Sequence, residues 1–208
     1  MQDFGLYMII TKPVKSYREI AEIAVKQKVS YLQLREKHLN DRELIVAAET
    51  ILQVTRGTNT KFVINDRADL AKIVQADCLH LGQTDLTLTQ ARSIVGNEME
   101  IGLSTHSVMQ AEIALEQNPA YIGYGPIYPT PTKAIADPAV GLDNLREVVE
   151  IATEKQIPVV AIGGIFTENL AEIIQAGAKN FCLVRNLMSC NDLEEKILEI
   201  QQIWRNNK

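Results

Sequence analysis

Three polar side chains, Gln33, Arg35 and Lys37, alternate with Leu32, Leu34 and Glu36 in the run Tyr31-Leu-Gln-Leu-Arg-Glu-Lys37. In an extended strand the first three share one face and the others, Glu36 included, turn to the opposite one. Two cations and an amide on one face suit an anion if that face lines a cavity. On an antiparallel sheet the same alternation marks only a wet side. Downstream, Asn65-Asp66 and Gly82-Gln83-Thr84-Asp85 each follow an apolar run. Two carboxylates that converge suit Mg2+, which keeps several waters and is held by one or two carboxylates together with substrate phosphates. The plainer reading is a pair of loop carboxylates that cap helices or pair with bases. The nearby cations favour a metal-bound diphosphate, whose several charges need both kinds of neutralisation.

Other chemistry-bearing residues fall at comparable places. Ser104-Thr105-His106 ends one apolar run, and a long tract between Gly125 and Gly141 carries Thr130, Thr132 and Lys133 among Pro126, Pro129, Pro131 and Pro138. Two hydroxyls and an ammonium on a stiffened loop suit a lid over phosphate oxygens. Gly163-Gly164 lets main-chain amides approach an anion, although a tight turn also accounts for such a pair. Val184 and Arg185 would complete a phosphate site there. His80, between Leu79 and Leu81, is expected as a hydrogen-bonded imidazole at the core or rim, and His38 as a loop residue. His106 is the best placed of the three, yet no triad accompanies it, and no zinc ligand set is present.

These residues must be positioned by the elements between them. Apolar runs predict strands at 6–11, 31–35, 61–65, 78–81, 100–104, 121–125, 158–162 and 180–184. Helical spacing covers 17–27, 41–54, 89–95, 109–117, 142–155 and 169–175, with the shortest connection around 67–75. Ser16, Asn40 and Thr167 are candidate caps, and Gly57, Gly96 and Gly177 stand where helices should stop. Eight strand-plus-helix units in this length predict an α/β fold, a single-domain (β/α)8 TIM barrel over residues 1–208, with chemistry on the loops that leave the strands' C-terminal ends. A doubly wound open sheet is the alternative, without a Gly-x-Gly-x-x-Gly after the first strand.

A chain of 208 residues with 46% hydrophobic composition can bury a substantial core, and no linker divides it. Its formal charge of −5 argues against a nucleic-acid or membrane-surface partner and leaves room for a local cationic pocket. No signal peptide or membrane span is read, so a cytoplasmic protein is expected. Cys78, Cys182 and Cys190 show neither metal-binding nor disulfide spacing. Small-molecule substrates are the expected partners, and a homo-oligomer is compatible with the sequence.

Over essentially its whole length the chain resembles thiamine phosphate synthase. The resemblance is carried by Gln33-Leu-Arg-Glu-Lys37, Ile64-Asn-Asp-Arg67, His80-Leu-Gly-Gln83 with Asp85, Gly102-Leu-Ser-Thr-His106, Gly125-Pro-Ile-Tyr-Pro-Thr-Pro-Thr-Lys133 and Ala161-Ile-Gly-Gly-Ile165. It implies a transferase that joins a hydroxymethylpyrimidine diphosphate to a thiazole phosphate, giving thiamine phosphate and pyrophosphate. By the same resemblance Gln33, Arg35, Lys37, Asn65 and Lys133 would hold the pyrimidine diphosphate, and Asp66 and Asp85 would bind magnesium. Ser104 would lie beside the pyrimidine, with Ser104, Lys133 and Arg35 nearest the reacting groups. Thr130, Thr132, Gly164 and the turn at Val184 and Arg185 would receive the thiazole phosphate. Arg185 departs from the family's usual serine, and Lys12 stands where many members carry an acid. A thiazole tautomerase paralogue shares the barrel, but it tends to have a histidine after the glycine closing strand six, where this chain has Gly125-Pro126. A non-catalytic binder of thiamine phosphate would have little reason to keep two metal carboxylates.

Overall fold

The computed structural model describes residues 3–130 and 138–208. Strands β1 (Gly5–Ile10), β2 (Tyr31–Leu34), β3 (Lys61–Asn65), β4 (Cys78–Leu81), β5 (Glu100–Thr105), β6 (Tyr121–Tyr124), β7 (Val159–Ile162) and β8 (Asn180–Leu183) pair in sequence order, all parallel. Tyr7 of β1 lies opposite Tyr31 of β2 on one side and Cys182 of β8 on the other, so the sheet closes and no open edge remains. That closure separates the barrel from the doubly wound sheet. The connection from β3 to β4 is the shortest, as its sequence predicts.

Alternation sorts each strand's side chains into two cores. Outward residues, among them Met8, Ile10, Leu32, Leu34, Phe62, Leu79, Ile101 and Phe181, pack under the helices. Inward residues Tyr7, Ile9, Tyr31, Val63, Cys78, Tyr121, Val160 and Cys182 fill the barrel. Each fully buried large apolar side chain contributes about 1.5–3 kcal/mol.

Helices α1 (Tyr17–Lys26), α2 (Asp41–Thr55), α3 (Ala68–Val74), α4 (Leu88–Val95), α5 (Val108–Glu116), α6 (Gly141–Glu154) and α7 (Leu170–Gln175) form the outer ring. Ser16 caps α1, accepting from the Glu19 amide, and Asn40 closes a reciprocal capping box with Glu43 on α2. Gly57, Gly96 and Gly177 follow α2, α4 and α7 with positive φ, as stop signals should. Thr167 is not a cap. It is buried in the turn before α7, whose first residue is Leu170, and Asn169 ties that turn by accepting from the Phe166 amide at 2.8 Å. After β8 the chain makes a four-residue helix, α8 (Arg185–Met188), before the long α9 (Leu193–Asn207), a break that apolar spacing does not delimit. Among the described residues no helix is long and apolar enough to cross a membrane.

Candidate functional site

Strand β3 ends at Asn65, and the next residue makes a tight turn. Arg67 N–H donates to the Asn65 carbonyl at 2.7 Å around Asp66, which has φ of 63°, while the Asp66 amide donates to the His80 carbonyl at 2.8 Å. Positive φ in an aspartate is an uncommon, strained backbone state that the surroundings must enforce. Arg67 does so from outside, its guanidinium forked between Asp41 and Asp69 at 2.6 Å each. Asp85 is fixed from the neighbouring loop by the Gly82 amide, which donates to its Oδ2 at 2.7 Å. The two carboxyls meet. Burial and the adjoining Asp85 raise the Asp66 carboxyl above the ordinary carboxylate range, against the opposing pull of Lys37, whose Nζ lies 3.3 Å from Asp66 Oδ2. Two crowded carboxylates of hard oxygen character fit a divalent cation. Among the described residues no cluster of three or more such ligands forms, so those residues offer a pair and not a cage.

Around this pair runs a groove of about 1000 Å³, lined by Arg35, Lys37, Asn65, Asp66, Asp85, Ser104, His106 and Arg185 among others. It adjoins a narrower cavity of about 110 Å³, which shares Arg35, Ser104, His106, Val184 and Arg185 and adds Ile9, Gly123, Pro126, Thr130, Ile162, Gly164 and Phe166. One chamber is charged and the other mostly apolar. Arg35, Ser104 and His106 stand on their common wall. His106 is held there through Nδ1, 2.5 Å from the Gly125 carbonyl oxygen, and through its main-chain amide, which donates to Gln110.

The polar face of β2 does not reach these chambers as one unit. Arg35 and Lys37 do, but Gln33 is 1% exposed and lies one layer deeper, its Nε2 donating to the Tyr7 hydroxyl at 2.8 Å. Tyr7 and Tyr121 hydroxyls are 2.8 Å apart, His80 Nδ1 is 3.0 Å from Tyr121, and His80 Nε2 is 2.8 Å from Ser104 Oγ. Burial pushes both phenols well above their usual pKa, so they stay neutral. The hydrogen-bonded imidazole expected for His80 is what the barrel contains. Tyr7 and Tyr121 escape a reading that looks for polar residues at strand ends. Their inward parity, two and four positions below rim residues, is the signal that would have found them. Glu36 does turn away: its carboxylate is buried under the β1–α1 loop, accepting the Lys12 amide at 2.9 and 3.0 Å and the Tyr17 hydroxyl at 3.2 Å.

At the far end, Gly163 and Gly164 have φ of 95° and 67°. A Cβ on Gly163 would fall 2.4 Å from Pro126 Cβ, and one on Gly164 2.6 Å from Tyr128 Cβ, so only glycine fits this approach. The loop after β6 is pinned to that turn by Ile127 N–H donating to the Ile162 carbonyl and Tyr128 N–H to the Gly163 carbonyl. Arg185 opens α8 with its guanidinium 5.1 Å from the centre of the Phe166 ring, a cation–π contact that holds it at the cavity mouth. Thr130 lines the same cavity. Thr132 and Lys133 lie outside the described residues.

Comparison with known proteins agrees with this architecture. The family model described as thiamine monophosphate synthase matches residues 6–187. A thiamine-phosphate synthase from Syntrophomonas wolfei is 40% identical over 208 residues, 99% of this chain and 98% of that protein. Another from Lawsonia intracellularis is 39% identical, covering 96% and 92%. Among solved structures, thiamine phosphate pyrophosphorylase from Pyrococcus furiosus superposes with a TM-score of 0.87 at 29% identity, covering 99% of this chain and 97% of that one.

Proposed function

The chain belongs to the thiamine monophosphate synthase family, and from that premise we propose that its rim joins a pyrimidine methyl diphosphate to a thiazole phosphate, releasing pyrophosphate. The observation that carries this reading is the meeting of Arg35, Lys37, Asp66 and Asp85 on one groove that opens, past Ser104, into an apolar cavity ending at Gly164 and Arg185. A diphosphate fits the charged chamber, and an apolar heterocycle with a phosphate tail fits the other.

In this reading the bond between the methylene carbon and the diphosphate oxygen breaks with its electron pair leaving on pyrophosphate. The thiazole nitrogen then gives its lone pair to that carbon. No protein nucleophile is consumed, so the Ser104–His80 hydrogen bond serves to orient substrate and not to activate an attacking hydroxyl. The chain's task is to stabilise the departing charge and to align the two reactants. Arg35, Lys37 and Asn65 would hold the diphosphate from the groove they line, and family membership assigns Lys133 to the same diphosphate. Asp66 and Asp85 would hold magnesium, which when bound supplies charge neutralisation to the diphosphate. Ser104 orients the pyrimidine on the shared wall. Thr130, Thr132, the Gly164 turn and the Val184–Arg185 turn take the thiazole phosphate. Gln33 supports this wall from below rather than from the groove lining. Both substrates carry charged phosphates that do not cross membranes, so a cytoplasmic setting is the one that fits them. The experiment is direct: purified protein with both substrates and magnesium releases pyrophosphate, and absence of turnover would leave a binding protein as the better reading.

A further inference from the structure

We propose that Tyr7, Tyr121 and His80 are positioning residues that transmit the orientation of the Gln33 amide across the barrel to Ser104, so that the Ser104 hydroxyl presents its hydrogen to an acceptor nitrogen of the pyrimidine. The inference rests on the reading of Ser104 as a pyrimidine contact and deepens it.

Each group on this buried line has a fixed number of hydrogens to give. The Gln33 Nε2 amide can only donate, and it donates to the Tyr7 oxygen at 2.8 Å. Tyr7 is 2% exposed, and its one hydrogen is then directed to Tyr121, 2.8 Å away. Tyr121, 1% exposed, passes its own hydrogen to His80 Nδ1 at 3.0 Å, a stronger acceptor than the neighbouring Cys78 sulfur. With Nδ1 accepting, the ring's proton sits on Nε2 and is donated to Ser104 Oγ at 2.8 Å. Ser104 has therefore accepted once, and its hydrogen is available to the cavity that it lines. Neither phenol ionises near neutral pH, since burial raises both. Each can therefore pass on only the polarity it receives. The reverse array would start from a Gln33 that accepts and would end with Ser104 donating to His80, offering the substrate lone pairs alone.

Two measurements test this. Nitrogen NMR of histidine-labelled wild-type protein, with the His80 resonance assigned by its loss in His80→Gln, is expected to show the Nε2-protonated tautomer. An Nδ1-protonated or doubly protonated ring overturns the relay whatever the protein catalyses. In kinetics, Tyr121→Phe removes only a hydroxyl that touches no groove. It is expected to raise KM for the pyrimidine diphosphate about tenfold, roughly one hydrogen bond's worth, while KM for the thiazole phosphate stays within twofold. In a Ser104→Ala background the same substitution should have no further effect, because it acts through Ser104. An equal rise in both KM values, or additive effects of the two substitutions, would make Tyr121 merely structural. An Nε2-protonated His80 in a protein with no turnover would overturn the assigned reaction and the role of Ser104 with it. Turnover with the opposite tautomer would overturn the relay alone.

Discussion

Lys37 and Asp66 form an ion pair across the mouth of the groove, Nζ to Oδ2 at 3.3 Å, although one belongs to the cationic face that follows β2 and the other to the carboxylate pair after β3 and β4. A residue expected to hold a leaving group is thus resting on a residue expected to hold a metal. In the proposed complex both would turn to new partners: the ammonium to phosphate oxygen, the carboxylate to the cation. Arrival of the diphosphate and a metal together would satisfy both, whereas either alone would leave one charge uncompensated.

Asp66→Asn should therefore weaken magnesium dependence while leaving the fold intact, because the change is nearly isosteric at a half-buried rim position. A magnesium titration of pyrophosphate release is expected to shift to at least tenfold higher metal, the order seen when a metal site is weakened. An unchanged titration would remove Asp66 from the metal site.

The same substitution should stabilise the metal-free protein near neutral pH. Asp66 has its carboxyl raised in the fold, by burial first and Asp85 next. A group raised above its unfolded value costs stability once ionised, and that cost fades as pH falls through the raised value toward the ordinary one. Melting curves without magnesium should show Asp66→Asn above wild type at pH 7, with the difference closing as pH falls through the carboxylate range. A lower melting temperature at pH 7 would mean that the Lys37 pair outweighs the repulsion.

Arg185→Ser installs the residue that the family resemblance leads one to expect here and removes the guanidinium held over Phe166. Charge-assisted hydrogen bonds to phosphate contribute about 1.5–3 kcal/mol, so KM for the thiazole phosphate should rise about tenfold or more, with KM for the pyrimidine diphosphate unchanged. A fall in KM would show that the arginine obstructs the phosphate.

Gly164→Ala brings a Cβ to 2.6 Å from Tyr128 Cβ at a φ of 67°. Strain of this kind costs about 1–3 kcal/mol, and relief requires the loop after β6 to move. Denaturant midpoints should fall, and thiazole phosphate binding should weaken with them. Full retention of both would show that the turn is not a close-fitting wall.

Most of the barrel was legible because strand and helix periods differ and because rim residues follow each apolar run. Asp66 and Asp85, nineteen positions apart in sequence, converge as consecutive strands require. What the pattern concealed has physical causes. Period two places Gln33 with Arg35 and Lys37 but says nothing of depth, and the barrel's interior layers put Gln33 below the groove, bonded to Tyr7. Thr167 has the type of a cap, yet the turn before α7 is closed by Asn169. The break between α8 and α9 follows from no change in apolar spacing. The interior line from Gln33 to Ser104 joins β2, β1, β6, β4 and β5, and only closure of the sheet makes those strands face one another.

The central claim is tested most directly by measuring pyrophosphate release from purified protein supplied with the pyrimidine diphosphate and the thiazole phosphate, with and without magnesium. Stoichiometric pyrophosphate and thiamine phosphate, dependent on both substrates and on the metal, is the predicted result. Binding of either substrate with no product formed at any magnesium concentration would contradict it.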